Sequence, residues 1–170
     1  MSQRVAVAVP SELIHPVFFP AGKISWDRND EKTLNVSAPF IYEAAYYAGM
    51  ASLKPWNDPK SSIPALLEEW GKLKGPLEEL FSQRKKARAE GMMRQAAALF
   101  IEFLFWVNGK PARLSPRIPY EELEYAPVNI AERLEFIIAR LNLYHSSVQL
   151  TELFKEMEKI NAKLSVLRNR

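Results

Sequence analysis

The pattern of apolar and polar positions changes after Pro127. All twelve prolines and all six glycines lie at or before that residue, and residues 128–170 contain neither. Because proline and glycine interrupt regular structure, the proline-rich first sixty residues predict an extended lead-in, and the last 43 residues predict nearly continuous helix. Val5–Val9 shows the one strand-like alternation of side chains.

Apolar residues recur at helical spacing in six segments, which predict an all-α, single-domain bundle of about six helices over residues 1–170. The predicted helices cover about residues 40–53, 64–74, 76–89, 92–107, 129–143 and 144–167, with a further short turn of helix at 119–123. Pro64 and Pro76 suit the first turns of the second and third helices, where an N–H is not needed. We expect residues 1–10 to form a flexible tail, and residues 160–170 to be frayed or to bind a partner.

The segment Ala96–Val107 is apolar on nearly every face of a helix and is interrupted only by Glu102. A helix of that kind must be surrounded by its neighbours, so we place it at the centre of the bundle. Its twelve residues are too few for a bilayer span, which needs about 20 apolar residues. With no secretory pattern at the N-terminus, we expect a cytoplasmic protein that does not enter a membrane.

The composition excludes several classes of chemistry. The 170 residues are 48% apolar and 25% charged, as in folded proteins, and they include no cysteine and two histidines. A disulfide framework, a thiolate metal site and a multi-histidine site are therefore excluded. The one Glu-x-x-His motif, Glu12–His15, directly precedes Pro16 and is a chance match. We predict no catalytic residue, no metal and no cofactor.

Glu102 needs a partner because an unpaired buried carboxylate is costly. On the helix predicted over 129–143, Arg133 and Arg140 lie at the border of the apolar face. We predict that one of them pairs with Glu102. The pair is either a structural salt bridge or part of a pocket for an anionic ligand, which would also include Tyr144 and His145.

A basic cluster provides the clearest indication of an anionic partner. It consists of Arg84, Lys85, Lys86 and Arg88, with Arg94 just beyond. On a helix over 76–89 with an acidic start, the cations would complement the helix dipole, or they would contact phosphate groups. The net charge of +3 is a small excess, and a committed nucleic-acid binder usually shows a denser basic surface.

The last predicted helix carries leucine, methionine and isoleucine at alternating spacings of three and four. A seam of this kind packs against the bundle or captures a partner helix, and the chain is then a monomer or a weak homodimer. The residues of this seam that could receive a partner are Leu153, Met157, Ile160, Leu164 and Leu167.

Several segments together resemble the YpoC-like family, small proteins of Bacillus-type bacteria, over about residues 10–160. They are His15-Pro-Val-Phe-Phe-Pro20, Pro55-Trp56, Ile63-Pro-Ala-Leu-Leu-Glu-Glu-Trp70, Phe103-Leu-Phe-Trp-Val-Asn-Gly-Lys-Pro111, Pro127-Val-Asn-Ile-Ala-Glu-Arg133 and Tyr144-His-Ser-Ser. The resemblance implies a soluble bacterial protein and provides no catalytic residues to transfer.

Two hypotheses of function follow. The first is a non-enzymatic interaction or adaptor protein, which binds an unknown protein through the C-terminal helix or the segment around Trp56. The alternative is a nucleic-acid-associated accessory protein, which uses the basic end of the helix at 76–89. An enzyme ranks third, and a closed polar pocket holding Arg133, Arg140, His145 and an acid would favour it.

Overall fold

The structure, a computed structural model, describes residues 4–19 and 22–169. Within this part the chain is mostly helical, as predicted, with five α-helices rather than six and one small antiparallel sheet. In chain order the elements are β1 Arg4–Ala8, β2 Lys23–Asp27, α1 Ile41–Tyr47, α2 Pro59–Ser82, α3 Lys86–Val107, α4 Ile130–Ala139 and α5 Tyr144–Arg168.

A single helix, α2, replaces the two that were predicted on either side of Gly75. Its buried residues Leu66, Leu73 and Leu77 keep helical spacing across Pro76, so burial of one face continues through the proline. Pro76 is exposed and lies on the outer side, where water can satisfy the carbonyl group that loses its helical partner. The splitting of this helix in the prediction was therefore wrong.

The lead-in contains a two-stranded sheet. β1 pairs with β2 in antiparallel register, with Arg4 opposite Asp27 and Ala8 opposite Lys23. The alternation at 5–9 predicted the first strand, and residues 4–8 of the expected tail are paired in it. Residues 1–3 of that tail, residues 20–21 and residue 170 lie outside the described residues.

The helix α3 is surrounded, and all its residues from Ala96 to Val107 are buried. It packs against α2 along much of its length and also contacts α4 and α5. The buried apolar side chains around it form one contiguous cluster, which includes Trp26 of the small sheet and Ile41 of α1. No helix of the described residues has the length and apolar character needed to cross a bilayer.

Aromatic stacking joins three of the helices. Phe154 of α5 lies parallel to Trp70 of α2, with ring centroids 4.0 Å apart and planes within 5°. The same ring meets Phe100 of α3 edge-on at 5.1 Å. Phe154 is completely buried, so its removal leaves a cavity that none of the three helices can fill alone.

We predict that Phe154→Ala lowers the free energy of unfolding by about 3–5 kcal/mol, the usual effect of losing a buried phenyl ring. Urea denaturation followed by circular dichroism measures the change. Val166→Ala is the control, because Val166 lies on the same helix with 62% of its surface exposed, and its effect should stay within about 0.5 kcal/mol. Equal effects of the two substitutions would contradict this account of the core.

Candidate functional site

Glu102 is buried, as its apolar surroundings in the sequence predict, with 1% of its surface exposed. Its Oε1 accepts a hydrogen bond of 3.3 Å from the backbone N–H of Phe40. Phe40 directly precedes α1 and has a φ of 60°, in the left-handed region. The carboxyl group therefore holds the start of α1 against the central helix.

A second buried acid, Glu43 of α1, was not predicted as a site residue. Its Oε2 accepts hydrogen bonds from Nε1 of Trp106 at 2.7 Å and from the backbone N–H of Ala112 at 3.1 Å. Its Oε1 is buried without a hydrogen-bond partner among the described residues. The signal in the sequence is the one that identified Glu102, an acid within an apolar helix face between Ile41 and Ala45.

Burial raises the pKa values of both Glu43 and Glu102. Loss of hydration raises the pKa of Glu43, and it raises the pKa of Glu102 well above the ordinary value of 4.5. The charge of Glu43 raises the pKa of Glu102 further. Because two buried carboxylates close together cannot both ionise without a compensating cation, the pair retains a proton at pH values where exposed glutamates have lost theirs.

The predicted ion pair between Glu102 and an arginine of α4 is wrong. Arg133 instead makes a two-pronged ion pair with Glu156 of α5 and also donates to the carbonyl of Val128 at 3.1 Å. Arg140 is exposed, and its guanidinium group lies 4.4 Å from the ring centre of Phe136. The helical wheel placed both arginines correctly at the border of the apolar face, but that border meets α5 and solvent.

The residues of the predicted anion pocket do not form one site but lie in different parts of the structure. Arg133 and His145 line a shallow depression of about 340 Å³ between α4 and α5, together with Phe136 and Gln149. Tyr144 is 62% exposed and packs edge-on against Phe81, at the end of α2. Glu102 belongs to the core. An anion in the depression at Arg133 and His145 stays a prediction.

The basic cluster occupies a turn and the start of a helix rather than a helix end. α2 ends at Ser82 and α3 begins at Lys86, so the predicted helix over 76–89 is wrong at this point. Arg84 and Lys85 follow the negative end of α2, whereas Lys86 and Arg88 lie in the first turn of α3. Cations at that positive end are unfavourable for the helix dipole, so dipole complementarity accounts for Arg84 and Lys85 at the end of α2 but not for Lys86 and Arg88.

The turn itself has a conformation that favours glycine. Arg84 has a φ of 58°. Its N–H bonds to the carbonyl of Phe81 at 3.0 Å, while that of Lys85 bonds to the carbonyl of Leu80 at 2.9 Å. This is the Schellman pattern, whose left-handed residue is usually glycine. A side chain there costs about 1–2 kcal/mol, and the chain nevertheless carries an arginine.

The side chains around this turn are mostly exposed. Between residues 78 and 92 the one buried side chain is Ala89. Arg94 is partly exposed and lies 3.8 Å from Glu90 in a weak ion pair. The end of the α2–α3 hairpin therefore projects the basic cluster into solvent.

The candidate partner seam of α5 is mostly part of the core. Leu153, Met157 and Leu164 are buried, Ile160 is half-buried, and Leu167 is 59% exposed. Trp56, the other feature proposed for partner binding, is 4% exposed. Only the last turn of the seam remains accessible. Among the described residues no group of three or more His, Asp or Glu side chains could hold a metal ion.

Comparison with known proteins identifies relatives of this chain. A family model described as YpoC-like protein matches residues 60–169, which contain α2 to α5 and the basic cluster. The chain is 34% identical over 107 residues to a protein of Bacillus subtilis (strain 168) with the printed name uncharacterized protein YpoC. The similar segment covers 62% of this chain, and the chain spans 65% of the length of that relative. No solved structure matches.

We predict that Glu102→Gln makes the fold more stable than the wild type at pH 8 and has little effect below about pH 4.5. An acid whose pKa is raised in the folded state binds its proton more tightly there than in the unfolded chain. Its contribution to stability is therefore complete below the ordinary pKa of 4.5 and is lost as the pH rises through the higher folded value. Glutamine is uncharged at every pH, like the protonated acid. The Glu102→Gln protein therefore does not lose this contribution to stability as the pH rises.

Thermal melts between pH 4 and pH 9 measure the difference between the two proteins. Glu68→Gln, at an exposed position of α2, is the control for loss of one negative charge. A constant difference between Glu102→Gln and wild type across this range would contradict the assignment of a retained proton.

Proposed function

Because this chain belongs to the YpoC-like protein family, whose description names no activity, we propose a function from its own geometry: it binds the phosphate backbone of a nucleic acid through the basic cluster. The observation that carries the proposal is an exposed turn and helix start with four cations in five residues, from Arg84 to Arg88. None of the four forms an ion pair among the described residues.

The position of the cations increases the positive potential that their charges create. Lys86 and Arg88 lie at the positive end of the α3 dipole, and the first turn of α3 contains no acid. Both features raise the local potential, which a phosphate group would relieve. Arg84, in the left-handed position of the turn, also supports an anionic partner. Glycine there would make the fold more stable, whereas arginine can bind a phosphate group.

An exposed aromatic surface lies beside the turn. Tyr144 meets Phe81 edge-on with ring centres 5.9 Å apart, and Phe81 is three residues from Arg84. Aromatic faces next to cations are a common arrangement for binding nucleic acid, since bases stack on rings while phosphates contact the cations. This proximity could not be read from the sequence, where Tyr144 is sixty residues away from the basic cluster.

The second candidate function is binding of a protein partner, and the chain would then act as an interaction or adaptor protein. It is favoured by the last turn of α5, where Val166 and Leu167 are 62% and 59% exposed. The rest of the seam packs in the core, so this partner surface is small compared with the basic end of the hairpin.

We predict that Arg84→Gly separates stability from binding. Glycine relieves the left-handed strain but also increases the conformational entropy of the unfolded chain. The net effect we expect is a gain of about 0.5–1 kcal/mol in the free energy of unfolding. The same change removes a phosphate contact, so the slope of log affinity against log salt should fall by about 0.9 for duplex DNA. Thermal melts and fluorescence anisotropy with labelled DNA measure the two effects.

Lys163→Gln is the matched control, because Lys163 is exposed on α5 away from the turn. It should change the affinity little. No DNA binding by the wild type at 50 mM salt would refute the proposed function, as would an Arg84→Gly protein that binds as strongly as the wild type.

We also predict that the protein sediments as a monomer at high concentration, because the buried part of the seam is not available to a second copy. Sedimentation equilibrium measures this. If the protein instead forms a dimer and Leu167→Lys dissociates it, the end of α5 is a self-association surface. That result would favour the second candidate.

A further inference from the structure

Two depressions lie on either side of the exposed face of α3. The first lies between α2 and α3, has a volume of about 460 Å³ and includes the side chains of Leu80, Met92 and Arg88. The second lies between α3 and the lead-in, has a volume of about 310 Å³ and includes Phe18, Phe19 and Arg94. Each depression thus combines apolar side chains with one arginine.

The two depressions share Gly91 and Gln95 of α3. A Cβ atom built at Gly91 meets nothing within 4 Å, so no packing contact in the protein requires a glycine there. Glycine is unfavourable in the middle of a helix compared with alanine. Because Gly91 has no side chain, the path across α3 from one depression to the other passes beside the side chain of Gln95, which lines both.

The two arginines lie on different sides of α3, with one in each depression, and Arg94 also lies 3.8 Å from Glu90. Arg88 and Arg94 are six residues apart, or about 9 Å along the helix axis. Arg88 belongs to the basic cluster and lies in the first turn of α3, so the path across Gly91 is continuous with that surface. Glu79 also lines the first depression, and its carboxylate accepts a hydrogen bond from Nε2 of Gln83 at 3.1 Å.

A ligand that uses this path must present negative charge and flat apolar faces together. In a duplex the flat faces of the bases are stacked inside, and only the backbone and the base edges in the grooves are exposed. A single strand exposes both, and its bases can stack on aromatic rings while its backbone follows a basic surface. The rings of Phe18 and Phe19 are half-buried beside Arg94, which fits this mode of binding.

We propose that single-stranded nucleic acid is the ligand, and that it crosses α3 at Gly91 with phosphates at Arg88 and Arg94 and a base against Phe18 or Phe19. The proposal rests on the proposed function and specifies its substrate class. An acidic peptide with apolar side chains presents similar chemistry. Continuity with the exposed cations at 84–88 favours the nucleic acid, whose charge repeats at every unit of the backbone.

Gly91→Leu tests the path directly, because a leucine side chain would occupy the crossing point between the depressions. Leucine is a better helix former than glycine, and the space around Gly91 is open, so the variant should fold. Gly71→Leu is the matched control: Gly71 is also exposed, within α2, and a Cβ atom there meets nothing within 4 Å. Phe19→Leu is a second variant, which keeps an apolar side chain but removes the ring.

The probes are a fluorescein-labelled 20-nucleotide DNA single strand, the corresponding duplex and a poly-glutamate peptide, measured by anisotropy at 50 mM salt. We expect the wild type to bind the single strand at least ten-fold more tightly than the duplex. Gly91→Leu and Phe19→Leu should each weaken single-strand binding by about ten-fold, while duplex binding changes less than two-fold. Gly71→Leu should change neither affinity.

Equal affinities for the two DNA probes, with no effect of Gly91→Leu, would overturn this inference and leave the proposed function intact. Absence of binding to either DNA would overturn both. Binding of poly-glutamate in preference to DNA would also overturn both and would assign the surface to an acidic protein.

Discussion

The central constraint on this fold is that the second half of α3 is apolar on every face. Such a helix has no side that can face water, so α2, α4, α5 and the lead-in must cover it from different directions. Excluding water has a second effect, because it strips the hydration from Glu43 and Glu102. Their retained proton is thus a result of how completely α3 is enclosed, and it makes the most apolar part of the protein sensitive to pH.

The same helix changes character along its length, from exposed near Lys86 to fully buried near Val107. Toward Val107 it is the buried axis on which the other elements pack. Toward Lys86 it is mostly exposed and cationic, and it contains Gly91. The buried half anchors the helix, so the exposed half can carry cations although their placement at its start is unfavourable for the helix dipole. Stability and proposed binding are therefore provided by different halves of one element.

The sequence predicted those features that depend on local spacing. The burial of Glu102, the central position of α3 and the extent of α5 all follow from apolar periodicity. The partner of Glu102 could not be predicted, because a helical wheel identifies the border of a face but not the neighbour that it meets. Glu43 carried the same signal as Glu102 but was not predicted as a site residue, and the helix predicted over 40–53 that contains it ends at Tyr47 in the structure. Pro76 led to a false boundary, because continued burial of one face outweighs the loss of one hydrogen bond on the exposed side.

The bond between Glu102 and the backbone of Phe40 has a consequence for the order of folding. It joins residues 62 positions apart, whereas α2 and α3 are neighbours in sequence and pack through a tight turn. Contacts between distant residues require the closure of long loops and form late. We therefore expect the α2–α3 hairpin to assemble first and the lead-in to dock last. Local opening of the lead-in would then precede global unfolding, and its backbone amides would exchange with solvent before those of α3.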